Sequence, residues 1–399
     1  MVIFLAVFLN TSAGCFALEE IKLDVPKDNT FKTEVFENVE DNEIESDLSE
    51  PIQRDDIQVP ASEKLTDKQV FELGVQDYET LEYLLDDKLT KHFDKGPLSS
   101  IGLRGLWRGG KSETFVKGDN HTNFDFNVIE ARIHGEFRNN KTSFVISTRY
   151  TPQHEFKYMQ HFFSDTYIKH KFNKHAIIMV GNTRTHTGQE GAKSDFLLPF
   201  ANRAQISRQY GNIRKLGVKL AGDFKLMDYD IAYNSSGTYF TSFFPGSEFC
   251  GWINLKPLGM TDGRYGKLKI GGGLTAGRRH FDYNTLGAYA SYRYKRFKAD
   301  FEFAQGNGAN GRAGLTKTHS NGFYTSAYYN ITKKLQLTAR FDQFTPNTND
   351  SGHKTREYTA GFNYFIKGQA LKLILNYVFR EDSIAGNSHR IIIGTQVLL

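Results

Sequence analysis

From Leu98 to its last residue the chain alternates with a period of two, and this is the feature that most restricts its fold. Ile101, Leu103, Gly105 and Trp107 share one parity, and Ile129, Ala131, Ile133 and Phe137 stand opposite Glu130, Arg132, His134 and Glu136. The pattern recurs about every 15 to 20 residues and reads as successive half-buried strands. Further on, Leu216, Val218 and Leu220 face away from Lys215 and Lys219, and Leu371, Leu373, Leu375, Tyr377 and Phe379 face away from Lys372, Asn376 and Arg380. Near Ala176–Val180 the run is apolar on both parities, so that strand's faces are not assigned. The final stretch places Ile391, Ile393, Val397 and Leu399 on one parity, and nothing follows it. Counting back from it gives sixteen strands. No internal run of about 18 apolar residues exists, which argues against membrane helices.

Aromatic content is 14% while the mean hydropathy is −0.49. That combination suits strands that are apolar on one face only, as in a transmembrane antiparallel β-barrel. Short connections at Asn139-Asn140, Asn173-Lys174, Thr332-Lys333 and Lys367-Gly368 alternate with longer ones through Lys111–His121, Thr185–Arg208, Gly306–Ser320 and Thr345–Lys354. Short turns on one side and long loops on the other are the outer-membrane pattern. Closure is required because lipid offers no partner to an open sheet edge. Trp107, Tyr150, Tyr233, Tyr294 and Tyr364 near strand ends fit interfacial girdles. At sixteen strands the side chains cannot fill the interior, which leaves an aqueous lumen.

The ninety-odd residues before the alternation are of another kind. Met1–Phe8 is apolar and leads into Ser12–Ala17, which reads as a secretory signal over residues 1–17. It lacks a basic leading region, which leaves room for an upstream start. Ala13-Gly14-Cys15 partly matches a lipoprotein cleavage site, but Ser12 stands where an aliphatic residue is expected. Residues 18–64 are acidic, poor in aromatics and without periodicity, hence disordered and, after export, periplasmic. Over 65–95, Thr66 can cap a helix, and Phe71, Val75, Tyr78, Leu85 and Leu89 form a short stripe interrupted by Glu82. The segment is an amphipathic helix against the barrel end, or a short coiled coil joining three copies. The barrel domain is residues 98–399.

Charge divides along the same line. Up to Pro97 there are 9 Lys and Arg against 23 Asp and Glu; afterwards there are 41 against 22. The basic part lacks Lys/Arg runs and nucleic-acid motifs, so nucleic acid is not an expected partner. The parity sends the basic side chains into the lumen, where fixed cations in a narrow tube favour anions. The candidate pore-lining and anion-binding residues on strands are Arg132, Arg149, Lys215, Lys219, Lys267, Lys269, Arg293, Arg340 and Lys372. Arg184, Lys193, Arg203 and Arg208 join them from the longest connection and its entry. Asp228, Asp230, Asp300, Glu302, Asp342 and Glu357 share the inward parity, so for any single cation pairing with a carboxylate is the bland expectation. Leu197-Leu198-Pro199-Phe200 in that connection needs a surface to cover. Folding into the lumen as a constriction provides one; capping the mouth or touching a neighbouring subunit is the alternative. His161, His170, His175 and His186 are scattered and expected at rims, and Cys250 is expected as a small wall or rim residue. No compact Ser/His/Asp grouping and no metal-ligand spacing is evident, so neither an enzyme nor a cofactor is expected.

At several points the chain resembles the phosphate-selective porins (O and P type) of Gram-negative outer membranes. The residues are Glu130-Ala131-Arg132 with Gly135, Asp165-Thr166-Tyr167-Ile168, Val180-Gly181-Asn182-Thr183-Arg184, and Leu198-Pro199-Phe200 with Arg203. Ala339-Arg340-Phe341-Asp342-Gln343-Phe344-Thr345-Pro346-Asn347 is similar to the family's recurrent strand-end motif. The resemblance spans Ile129 to Leu399. It implies a sixteen-stranded barrel in outer-membrane lipid, a homotrimer, and passive diffusion of small anions such as phosphate. It also implies basic residues stepping down one wall and a narrowing loop after the fifth strand. Ile129, where a further basic residue is expected, and Leu399, in place of a terminal aromatic, depart from the pattern. A general-diffusion porin without strong anion selectivity and a structural barrel tethering the envelope are the alternatives.

Overall fold

Strand alternation becomes a closed barrel in the computed structural model, which describes residues 89–117, 119–150, 163–237, 243–261, 263–311, 314–350 and 352–399. The expected signal, the acidic segment and most of the expected helix lie outside these residues. A short strand β1 (Thr90–His92) precedes β2 (Leu98–Val116), β3 (Asp119–Phe137), β4 (Thr142–Tyr150), β5 (Phe163–Asn173) and β6 (Ala176–Arg184). Then come β7 (Arg214–Asp223), β8 (Met227–Ser235), β9 (Ser247–Leu255), β10 (Lys267–Arg278), β11 (Asp282–Tyr294) and β12 (Phe297–Gly311). The series ends with β13 (Gly314–Asn330), β14 (Leu335–Thr345), β15 (Thr355–Lys367), β16 (Leu371–Asp382) and β17 (Gly386–Leu398). Each strand from β2 onward pairs antiparallel with the next, and β17 returns to β2 from Ser388↔Val116 to Leu398↔Leu106. The sixteen expected strands are β2 to β17.

The sides follow from what each face meets. Leu103, Ile133, Ile168, Val218, Ile253, Leu337, Leu373 and Ile393 point outward and are exposed, as lipid contact requires. Trp107, Tyr150, Tyr233, Tyr294 and Tyr364 are exposed on the same outer face. Arg104, Arg132, Lys219, Arg340 and Lys372 point inward. In β6 the alternation slips. Val180 is exposed, yet Asn182 and Thr183 are both buried. Between them Gly181 has φ 132°, and a Cβ there would lie 2.4 Å from the Thr166 carbonyl oxygen. The slip follows the apolar run of Ala176–Val180, whose faces the sequence left unassigned.

The short turns are local. The Asn139 side chain accepts from the backbone N–H groups of Lys141 (3.0 Å) and Thr142 (2.9 Å), while Asn140 takes φ 54°. Two expected loops are not loops. Lys111–His121 is the tip of a hairpin paired to Val116↔Asp119, and Gly306–Ser320 is another, paired to Gly311↔Gly314. Both are mostly polar in sequence, because strands that leave the lipid need no continuous apolar side. The connection after β9, at the short-turn end, is longer than the other short turns and makes successive turns over 256–261 and 263–266.

The start of the barrel closes its own seam. β17 stops opposite Leu106, which leaves the lower part of β2 without a neighbour on that side. β1 continues the same line, pairing Thr90↔Gly102, Lys91↔Ile101 and His92↔Ser100. Leu103 N–H donates to Leu89 O (3.1 Å) and Phe93 N–H to Ser99 O (2.9 Å), just below the Gly105–Leu399 bonds. Residues 90–92 of the expected 65–95 helix are therefore extended. Removing residues 1–92 should leave the barrel closed but lower the temperature of its heat-modifiable gel shift, since these bonds are lost. An unchanged shift temperature would contradict the seam role of β1.

Candidate functional site: the inserted loop and the charged lumen

The longest connection, between β6 and β7, folds into the barrel. It carries α1 (Gln189–Ala192), a 3-10 turn at Asp195–Leu197, and α2 (Gln205–Gln209). Phe196 and Leu197 pack with Leu106, Val128, Ala370 and Leu398. Ala370 is in the β15–β16 turn and Leu398 ends β17, so the loop tip reaches the short-turn end of the lumen. Ala201 packs with Ile374, Val378 and Ile392, and Ile206 and Tyr210 pack with Ala304, Tyr324 and Phe344. Burial pushes the Tyr210 hydroxyl up to about 12, and it bonds Ser320 Oγ at 2.6 Å.

A loop held away from water must find donors for its carbonyls. The barrel wall supplies them. Arg108 donates to Leu198, Phe200 and Ala201 oxygens. Lys372 Nζ donates to Phe196 O (3.2 Å), Leu198 O (3.0 Å) and Gln369 Oε1 (2.8 Å). Gln396 reaches Phe196 O at 3.0 Å, Asn363 reaches Pro199 O at 2.8 Å, and Asn376 accepts from Ala201 N–H at 2.7 Å. Arg340 donates to Asn202 O (3.0 Å), pairs with Glu190 (3.4 Å) and Asp342 (3.0 Å), and lies 4.5 Å over the Phe200 ring. At the loop's start Gly188, φ 77°, approaches β12 so closely that a Cβ would sit 1.7 Å from Glu302 Oε1. Glu302 in turn accepts from Glu190 N–H (3.1 Å) and Tyr324 Oη–H (2.8 Å).

Under the loop, on β2 to β7, arginines gather around three carboxylates. Glu130 lies 3.6 Å from Arg104 and 3.9 Å from both Arg132 and Arg149. Asp165 takes Arg214 (3.1 Å), Arg132 (3.3 Å) and Arg184 (3.9 Å). Asp195, on the loop, takes Arg149 (2.5 Å) and Arg203 (2.9 Å). Burial alone would raise the Asp195 carboxyl, but Arg149 and Arg203 hold it well below the usual carboxylate range. Its contribution is present above the ordinary carboxylate pKa and is lost only as pH falls through the lower native value.

On the far side, facing β7 to β12, Lys269 and Asp228 keep water contact, while Lys219 and Asp300 are buried. Lys219 pairs with Asp230 (2.9 Å), Lys269 and Lys256 with Asp228 (3.0 and 3.1 Å), and Lys298 and Lys193 with Asp300 (2.9 and 3.8 Å). The Lys269 side chain is 37% exposed and Asp228 19%, whereas Lys215 and Arg214 near the loop root are at 1% and 0%. His186 stacks on Trp252 (5.2 Å, 16°) and points Nδ1 to Asp230 at 3.6 Å. It lies in the lumen, not at the rim expected for it. Cys250 is buried on the inner wall and its Sγ donates to His186 O at 3.0 Å.

Residues 263–397 match the family model for phosphate-selective porin O and P. A search of curated proteins finds no match. Among solved structures, the anion-selective porin from Comamonas acidovorans has a TM-score of 0.56 at 11% identity, covering 75% of this chain and 99% of that one. The outer-membrane channel DcaP of Acinetobacter baumannii gives 0.55 at 11%, with 77% and 99% covered. The trimer form of OmpT, an outer membrane protein of Vibrio cholerae, gives 0.52 at 9%, with 78% and 100% covered. The barrel has the porin fold.

Within this porin barrel the resemblance to the phosphate-selective porins holds over its last part, a shorter span than Ile129 to Leu399. The expected cations on strands do face inward, but many do not stand open to a permeant. Arg132, Arg149, Arg203, Arg340 and Lys372 are buried by loop contacts and ion pairs, and Lys215 is buried against Glu248 and Asn310 O. Lys269 stands in water contact, while Arg184, Lys193 and Lys219 are about a tenth exposed, on Asp165, Asp300 and Asp230. Arg208 reaches Glu357 (2.6 Å) at the long-loop end, while Lys267 and Arg293 lie near the short turns. Arg108, Arg214, Glu190 and Asp195 were not anticipated. Arg108 shares the parity of Arg104 in β2 and could have been found from it. Glu190 and Asp195 sit in a loop, where no period assigns a direction.

Arg108→Leu should free the loop. It removes charged donors to three carbonyls, and hydrogen bonds to charged groups are worth about 1.5–3 kcal/mol each. Limited proteolysis of the folded, solubilised barrel should then cut within residues 195–203, where the parent chain resists. Equal resistance would contradict the anchoring.

Proposed function

We propose that the chain is an outer-membrane porin whose water-filled channel passes small anions such as phosphate by passive diffusion. The observation that carries this reading is the excess of cations on the wall facing β7 to β12, with water contact at Lys269 and Asp228. Between the descending leg of the loop and β7 to β12, Lys193, Lys219, Lys256, Lys269 and Lys298 meet Asp223, Asp228, Asp230 and Asp300. These five cations outnumber the four carboxylates they meet, and a low-dielectric wall focuses that surplus. The anion selectivity of the Comamonas acidovorans porin supports an anion preference here. Membership of a homotrimer in the Gram-negative outer membrane rests on the shared fold. The placement of the N-terminal segment in the periplasm rests on entry of the chain at the short-turn end, the periplasmic end of such barrels.

One observation favours a general-diffusion channel instead. Lys219–Asp230, Lys269–Asp228 and Lys298–Asp300 pair along the same wall, and each pair cancels one charge. Reversal potentials in planar bilayers under a KCl gradient separate the two. The proposal expects anion preference, moved toward cations by Lys219→Glu and Lys269→Glu, and a chloride current reduced by millimolar phosphate. Cation preference in the parent chain, or no current, overturns it.

A further inference from the structure

We propose that residues 55–87 of this chain dock across the short-turn mouth of its own barrel and act there as an electrostatic cover over the channel. The mouth suits an acidic segment. The connections at this end from β3–β4 to β13–β14 hold ten Lys and Arg in sequence against one carboxylate, Asp262. Lys141, Lys225, Lys295, Arg296, Lys333 and Lys334 among them are exposed. These six stand on four different turns, so the basic surplus runs around the rim and is not confined to one patch. Asp223 and Asp228, at the ends of β7 and β8, are already met by Lys256 and Lys269.

Charge and reach pick out the occupant. Residues 55–87 carry ten Asp and Glu against Lys64 and Lys68, and they lead directly to the seam strand. Leu89, the first described residue, is held on the wall by the Leu103 N–H at 3.1 Å. Asp86-Asp87-Lys88 precede it. Hydrocarbon excludes such a charged triplet, so the chain before Leu89 continues on the water side of the mouth. A segment of 33 residues reaches about 50 Å even at the helical rise of about 1.5 Å per residue. Its tether makes docking intramolecular, so that ion pairs too weak to hold a free peptide act together. Once docked, the carboxylates offset the positive rim where entering anions gather. Salt screens the attraction, so added salt uncovers the mouth.

Zero-length carbodiimide coupling, which joins a carboxylate to a lysine amine in contact with it, tests the docking on the folded full chain in detergent. Isotope-labelled and unlabelled chains are refolded together, and the coupled peptides are read by mass spectrometry. At about 0.1 M salt, carboxylates of residues 55–87 should couple to Lys141, Lys225, Lys333 or Lys334 of the same chain at least tenfold more than to Lys317 and Lys354 at the long-loop end, and about 1 M salt should abolish the products. No such products, equal coupling at both ends, or products that join only labelled to unlabelled chains would each overturn the proposal. A second measurement reads the cover itself. With Asp→Asn and Glu→Gln at all ten carboxylates of residues 55–87, conductance in planar bilayers should be at least twofold above the parent at about 0.1 M KCl and equal to it at about 1 M. Unaltered conductance at the lower salt would overturn the cover. Only this second measurement rests on the channel reading. No current from either chain would sink that reading, while the coupling products decide the docking without it.

Discussion

A sheet in hydrocarbon must leave no backbone N–H or C=O unpaired, and this constraint governs the molecule. It forces β17 back onto β2 and makes even the short residue of open edge on β2 worth covering with β1. Closure then assigns each side chain to lipid or lumen. Ile391 and Ile393 face out only because Ile392 and Gln396 face in. The basic surplus of residues 98–399 thereby becomes an internal one.

The same constraint acts a second time inside. The loop between β6 and β7 brings unsatisfied carbonyls into a space without bulk water. The inward arginines, lysines and amides bring unsatisfied protons. Each solves the other's problem: Arg108, Lys372 and Gln396 bond Phe196 to Ala201, and Asp195 and Glu190 return charge to Arg149, Arg203 and Arg340. The loop thus covers one wall, while Lys269 and Asp228 away from it keep water contact. Asymmetry of the lumen is a consequence of where the loop docks, not of where the cations are.

Barrel class, strand number and wall parity were legible because lipid imposes a strict period of two. The two hairpin tips at Lys111–His121 and Gly306–Ser320 were not, since strands beyond the membrane carry no apolar face. Insertion of Leu197-Leu198-Pro199-Phe200 was legible from its need for cover. What the cations do was less so. Arg149 and Lys372 read as pore residues by parity, but among their partners are a carboxylate and carbonyls of a distant loop, which leave no trace in local pattern. The seam strand was missed because Thr90–His92 carries no alternation of its own.

The central claim is that permeant ions pass beside β7 to β12 and not beside the loop-covered wall. Substituted-cysteine accessibility tests it most directly, using single cysteines at Lys269 and at Gln396 in a Cys250→Ser chain and a negatively charged, membrane-impermeant methanethiosulfonate reagent during bilayer recording. The account predicts rapid modification with a stepwise loss of current for Lys269→Cys and no change for Gln396→Cys. Modification at Gln396→Cys with Lys269→Cys inert would contradict it.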